Sequence, residues 1–322
     1  MNQFDMNRFL QFITATTLLA IIYSCSTPQY TCETTTCTQI ETGNGPEDII
    51  LDTTTTSKRI IISSADRKAD NPSGEIQALN LQTDEVKTLK RTGEPDSIIF
   101  YPHGIDLYVG RTGIRYLLVI SHGNTEELVL TYELKENELV YKNAFSNELF
   151  ESLNDVHSDG DEGFFVTNDH RFKGNVIHCN KYDECNMLAD GLAYANGLYM
   201  KGDSLLYVAT TVGKRIHEIR LGDQLSSRKI TRIKGADNIN FHENKLIVAG
   251  HPCFLKFIRH VKKNKRKSPS RIYSVHTETE DRELVYKDNG ENISAASTAL
   301  IFGDYLYVSQ VFNPYILKIK LD

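Results

Sequence analysis

The chain has 322 residues, 40% hydrophobic and 24% charged, with a formal net charge of −6. This composition is that of a globular protein, not a disordered or collagenous one, and the negative balance excludes a general electrostatic attraction to nucleic acid. No stretch of three or more turns after residue 25 shows helical periodicity, and Thr, Ile, Val and Tyr are plentiful, so the body of the chain reads as all-β.

The first element is a leader. Arg8 precedes an apolar run over residues 10–23, followed by Ser24 and Cys25. Such a run fits a signal peptide and is too short for a comfortable membrane span. The ending IIYSC resembles the lipobox of bacterial lipoproteins, in which the cysteine becomes the lipidated first residue. Residues 1–24 are therefore expected to be a signal peptide, 25–35 a short tether and 36–322 the folded body. The protein is expected to be exported and held at the membrane of the bacterial cell envelope through a lipidated Cys25, periplasmic or outer-membrane associated. An ordinary cleaved signal with secretion is the alternative. Export permits disulfides. Cys32 and Cys37, and Cys179 and Cys185, are close enough to pair, but spacing does not settle connectivity. Cys253 reads as an unpaired, mostly buried thiol.

Six similar units follow. They begin at PEDIILD (Pro46), PHGIDLYV (Pro102), NDVHSDGD (Asn154), ANGLYMKG (Ala195), DNINFHEN (Asp237) and STALIFGD (Ser297). Each reads as a short strand, a turn, a second apolar strand, a loop and a third strand. Fourth strands appear as EVKTLKR, ELVYKNAF, NMLAD, RKITRI and ELVYKD. The last unit lacks one, and TCTQIETG at residues 36–43 supplies it. The expected fold is a six-bladed β-propeller whose N-terminal strand closes the last blade. Two β-sandwich domains would explain the repeated spacing poorly.

The polar residues opening the units are Glu47, His103, Asn154, Asn196, Asn238 and Thr298, at steps of 56, 51, 42, 42 and 60 residues. Strand interiors disfavour Asn and Asp, and burying them unpaired is costly. In a propeller the first strand of each blade lines the channel, so these residues converge at one mouth. A lone Asn there would merely hydrate the channel. Four oxygen-bearing residues from four blades, with Asp237 beside them and no sulfur, suit a hard cation such as Ca2+.

The motifs GPED (45–48), YPHGI (101–105), LLVISH (117–122), LNDV (153–156), TNDH (167–170), YANGL (194–198), ADNI (236–239), GHP (250–252) and ST (297–298) resemble, in order and spacing, those of the paraoxonase family of calcium-dependent lactonases and arylesterases. The resemblance implies two Ca2+ ions in the channel. Glu47, Asn154, Asn196, Asp237 and Asn238 would hold the catalytic ion. Asp48, Asp155 and the backbone carbonyl of Ile105 would hold a deeper, structural one. Adjacent residues of ED and ND would serve different ions, because strand side chains alternate. His103 and His122 match the family's histidine pair. The chain departs from the family in two places. It lacks the apolar helical insertion that vertebrate members carry after NDH, and its last strand has no cysteine to pair with an N-terminal one.

A channel-mouth cation polarises an ester carbonyl, and water then needs a base. His103 and His122 fall on the same face by hairpin geometry and suit proton abstraction, with Asp237 as the alternative. His170 and His251 end second strands on that face, and with Thr298 they are candidates for the substrate wall. The basic run at residues 256–271 reads as a solvated loop on the same face, with contact to anionic headgroups or an acidic substrate as the sharper reading. The expected function is an exported calcium-dependent hydrolase of lactones, with promiscuous action on aryl esters. A sugar-lactone or organophosphate hydrolase, or a non-catalytic calcium-stapled propeller binding a protein or glycan, are the alternatives.

Overall fold

The computed structural model describes residues 28–69, 73–123, 126–222, 224–263 and 266–321. Six sheets of four or five strands form a ring, antiparallel but for one parallel edge pair in the second. Blade 1 holds β2 (Pro46–Asp52), β3 (Arg59–Ala65), β4 (Gly74–Asn80) and β5 (Val86–Thr88). Blade 2 holds β7 (Pro102–Val109), β8 (Arg115–His122), β9 (Glu127–Leu134) and β10 (Glu138–Phe145), with β6 (Lys90–Thr92) beside β10. Blade 3 runs β11 (Leu153–Ser158) to β14 (Cys185–Leu192) through β12 (Phe164–Asn168) and β13 (Gly174–Cys179). Blade 4 runs β15 (Ala195–Lys201), β16 (Leu205–Thr210), β17 (Arg215–Arg220), β18 (Ser226–Thr231). Blade 5 runs β19 (Ala236–His242), β20 (Lys245–Gly250), β21 (Ser270–His276), β22 (Arg282–Asp288). Blade 6 holds β23 (Ala296–Phe302), β24 (Tyr305–Gln310) and β25 (Tyr315–Lys320), and β1 (Cys37–Glu41) pairs antiparallel with β25 as its outer strand. The ring therefore closes by strand pairing, as expected.

The core is divided among the blade interfaces. Ile61 and Ile76 of blade 1 pack with Leu117, Leu130 and Tyr132 of blade 2. Ile49, Ile60 and Ile62 pack in turn with Leu300, Tyr307 and Ile316 of blade 6. Because each blade is covered on both faces, second strands such as β3 are buried at every position and lose the alternation of a half-exposed sheet. This packing leaves the channel lined by the polar starts of the inner strands.

Three details differ from expectation. EVKTLKR is not one outer strand. Leu89 donates its N–H to Ile76 O in blade 1, while Lys90 donates to Asn137 O in blade 2, so the segment changes sheets at the buried Leu89. The basic run is not simply a loop. Its first half forms helix α1 (Phe254–Lys262), driven by apolar residues at 254, 257, 258 and 261 on one stripe. Nine residues fall short of three turns, which hid its periodicity. The segment read as a tether is partly attached, since the Gln29 and Tyr30 N–H groups donate to Leu284 and Val285 carbonyls on β22. The leader and Cys25 lie outside the described residues. Disulfides join Cys32 to Cys37 and Cys179 to Cys185, and Cys253 is a free, half-buried thiol.

Asp52 links blades 1 and 2. Fully buried, its Oδ2 accepts hydrogen bonds from Arg59 Nε (2.8 Å) and Arg115 Nη1 (3.0 Å). Burial would raise its pKa, but the bonds from Thr54 and Arg59 win and hold it below the ordinary 3.8. A depressed carboxylate stabilises the fold fully above its unfolded pKa and loses that contribution as pH falls through its folded value. Asp52→Asn should therefore cost about 3 kcal/mol at neutral pH. The gap to wild type should close in acid. Urea unfolding across a pH series measures it, and a gap that persists unchanged in strong acid would refute the assignment.

Candidate active site at one mouth of the channel

All six inner strands carry a register shift in their first residues. Leu153 pairs with Asn168 and Val156 with Val166, so Asn154 and Asp155 together oppose Thr167. The same irregularity lies between Pro46 and Asp48, Pro102 and Ile105, Ala195 and Leu198, Ala236 and Ile239, and Ala296 and Ala299. A β-bulge re-aims the side chains it contains. Here it gives each blade two consecutive channel positions. The upper one holds Glu47, His103, Asn154, Asn196, Asp237 and Ser297. The lower one holds Asp48, Gly104, Asp155, Gly197, Asn238 and Thr298. The register thus corrects the sequence alignment by one residue in blades 5 and 6, where Asp237 and Ser297 are the equivalents of Glu47. The lower level is crowded. A Cβ on Gly104 would lie 2.7 Å from Asp155 Cα, and one on Gly197 would lie 2.5 Å from Asn238 Cα.

Three asparagine amides are pinned here, those of Asn154 and Asn196 at the upper position and that of Asn238 at the lower. Asn154 Nδ2 donates to Asp169 Oδ2 (3.3 Å), Asn196 Nδ2 to Thr211 Oγ1 (3.1 Å) and Asn238 Nδ2 to Thr298 Oγ1 (2.9 Å). The orientations follow from the partners. A carboxylate can only accept. Thr211 donates its hydroxyl proton to Ala236 O, and Thr298 donates to Glu47 O or Asp48 Oδ1, so both must accept from the amide. Each Oδ1 is consequently left buried with no hydrogen-bond donor, and Glu47 Oε2 shares this condition apart from an ion pair with the Arg67 guanidinium. Buried oxygens without partners cost about 1–3 kcal/mol each and call for a ligand. Among the described residues no three His, Cys, Asp or Glu cluster as a metal site. The donors are amide and carboxylate oxygens, which select hard cations over soft ones.

A proton chain adjoins this set. His122 Nδ1 lies 2.7 Å from Glu127 Oε2, His103 Nδ1 lies 2.7 Å from His122 Nε2, and His103 Nε2 lies 3.1 Å from Glu47 Oε1. With Glu127 accepting, His122 carries its proton on Nδ1 and accepts from His103 Nδ1–H. The remaining His103 Nε2 lone pair then faces a carboxylate oxygen. Two neutral imidazoles hold two protons for three contacts, so an extra proton or a cation must sit at the Glu47 end. Burial lowers the His103 pKa from 6.5 against the pull of Glu47. Burial would raise that of Glu47, but Arg67 and His103 bring it down to about 2.

Below lie Asp48 and Asp155. Asp48 Oδ2 accepts from Ile105 N (2.9 Å), and Asp155 accepts from Leu198 N (2.6 Å) and Val156 N (2.8 Å). Burial pushes Asp48 up to about 7, and burial together with the Asp48 charge raises Asp155 well above its ordinary value. Two buried carboxylates thus lie close together, with backbone amides and the Thr298 hydroxyl as their donors.

Asp237 Oδ2 lies 2.7 Å from His251 Nε2, and the His251 ring stacks on Phe257 of α1 at 4.4 Å. His251 is buried, so it props Asp237 and does not stand as an open substrate wall. Thr298, expected at that wall, is fully buried and ties Asn238 to blade 1. His170 stays exposed at the rim, paired with Glu151. Of the expected residues, Glu47, His103, Asn154, Asn196 and Asp237 share the upper channel position, with His122 against His103, and Asp48, Asp155 and Asn238 share the lower, where Ile105 follows Gly104. Sequence reasoning missed Arg67, Asp169 and Glu127. Glu127 had a signal, because it faces His122 directly across the β8–β9 turn.

A family model described as Arylesterase matches residues 53–317. Serum paraoxonase/arylesterase 1 of Rattus norvegicus is 28% identical over 275 residues, covering 76% of this chain and 77% of its own. Serum paraoxonase/lactonase 3 of Homo sapiens is 26% identical over 264 residues, covering 74% of each. Among solved structures, a putative gluconolactonase superposes with a TM-score of 0.58 at 12% identity, covering 88% of this chain and 91% of its own. The PQQ-bound aldose sugar dehydrogenase of Streptomyces coelicolor gives 0.61 at 11%, covering 88% and 96%. At such identity these two show the propeller fold alone.

Proposed function

The chain belongs to the arylesterase family, and from that premise we propose that it is a calcium-dependent hydrolase of lactones and aryl esters. The observation that supports this most is the set of pinned amides, whose oxygens lie buried without a donor at the inner-strand starts of three blades, with the buried Glu47 carboxylate at the start of a fourth. These donors fit Ca2+, which takes six to eight oxygens from carboxylates, amides, backbone and water. Glu47, Asn154, Asn196, Asp237 and Asn238 would hold one ion, and Asp48, Asp155 and the Ile105 carbonyl a second. Bound at the mouth, the ion would supply a Lewis acid for the ester carbonyl and a charge to stabilise the oxyanion.

The chain's own groups then handle the proton. His103 Nε2 takes it from the attacking water, while Nδ1–H stays on His122 and Glu127 fixes the His122 tautomer. As the acyl–oxygen bond breaks, His103 returns that proton to the departing alkoxide. Water adds as hydroxyl to the acyl carbon and proton to the leaving oxygen, so a lactone opens to a hydroxy acid. Asp237, propped by His251, is the alternative base. We also place the protein outside the cytoplasm, anchored through Cys25, a reading that the two disulfides support.

A pH-stat screen of lactones and phenyl acetate at saturating calcium tests this reading. Wild type should turn over members of both classes. Glu127→Gln should lower kcat about 10–100-fold, as for a group that orients a catalytic ligand, with its melting temperature kept. A calcium-loaded protein that opens no lactone and cleaves no aryl ester would end the proposal.

A further inference from the structure

Helix α1 carries chemistry that the channel site does not use. Eight of the chain's 36 Lys and Arg fall within residues 256–271, with no Asp or Glu among them, in a chain of net charge −6. The helix packs down through Phe257, stacked on His251, and His260, edge-on to Phe312 at 5.2 Å. Its opposite flank exposes Lys256, Arg259, Lys262 and Lys263. Among the described residues none of these four is paired with a carboxylate. Between the two flanks runs an apolar shoulder. Leu255 is 67% and Val261 40% exposed, with Phe254 and Ile258 half-buried beside them. On a helical net Val261, Phe254 and Ile258 are contiguous, and Leu255 stands among the cations.

We propose that α1 docks onto an anionic phospholipid bilayer, its cations among the headgroups and Leu255, Val261 and Phe254 at the acyl boundary. A nucleic acid or acidic protein would use the charge but has no need of the exposed apolar shoulder. An interfacial helix needs both. Docking also sets the channel mouth against the membrane, through the contacts from Phe257 to His251 to Asp237. The inference rests on the helix and not on the hydrolase reading.

Flotation of the full chain with vesicles of phosphatidylcholine alone, and of phosphatidylcholine mixed with phosphatidylglycerol, tests it. The leader contributes to both, and α1 adds affinity for the anionic vesicles. Lys256→Gln/Lys262→Gln/Lys263→Gln should weaken binding to the anionic vesicles about 100-fold, and raised salt should do the same to wild type. Leu255→Ser/Val261→Ser should weaken it roughly tenfold. Neither variant should change binding to neutral vesicles or hydrolysis of a soluble aryl ester. Equal affinity of wild type for both vesicle types, or an unaffected lysine variant, would overturn the proposal. So would loss of binding on lysine replacement alone with Leu255→Ser/Val261→Ser unaffected, which would mark a plain polyanion site.

Discussion

Chelation should silence hydrolysis and lower the melting temperature, with Ca2+ restoring both and Mg2+ restoring neither. A ligand that binds only the folded chain stabilises it by about 4 kcal/mol at 1,000 times its Kd. For a domain of this size that corresponds to roughly 8 °C. The channel also holds Asp48 and Asp155, whose mutual repulsion a cation between the blades would relieve. Mg2+ demands a small octahedron and keeps its water, whereas amides pinned in three blades are not free to contract around a small ion. The measurements are ester turnover and scanning calorimetry with chelator, then with each cation added back. Unchanged turnover and melting in chelator would refute the metal reading of both levels.

Truncating the lower level should unfold the protein more readily, while truncating the upper level should mainly stop the chemistry. Asp155→Ala leaves the buried Leu198 and Val156 N–H groups without their acceptor. Each such loss costs about 1–3 kcal/mol, so the melting temperature should fall by roughly 4–12 °C. The deficit should grow as calcium is added, because without the ion the substitution also removes a repulsive partner of Asp48. Asn196→Ala is different. Thr211 keeps its bond to Ala236 O, so the fold loses little. One bare oxygen disappears from the mouth, and turnover should fall at least about tenfold. Calcium titrations of melting and activity on both variants separate the roles. Equal melting losses with equal residual activity would contradict the two-level assignment.

The two levels show what a linear reading can and cannot reach. The six blades were legible because a propeller repeats its strands locally, and each repeat carries its own turn and apolar run. The closing strand β1 was legible because an unfilled outer position in blade 6 implies a partner. Glu47, His103, Asn154, Asn196 and Asp237 stood out because polar residues are costly at the head of a buried strand.

Asn238 and Thr298 were aligned one residue late, because a bulge adds a position that pairing alone reveals. Helix α1 stayed hidden because nine residues are too few to establish a period, and Leu89 divides two sheets through hydrogen bonds that its neighbours in sequence do not encode. The sequence by itself determined the architecture and the chemical character of the channel mouth, since both follow from local strand patterning and residue type. The tertiary structure alone decided which amide oxygens are bare and that His251 and Thr298 brace the site from within. Those facts depend on hydroxyls, carboxylates and rings brought from other strands and blades, and such partners are chosen by packing across the ring and not by position along the chain.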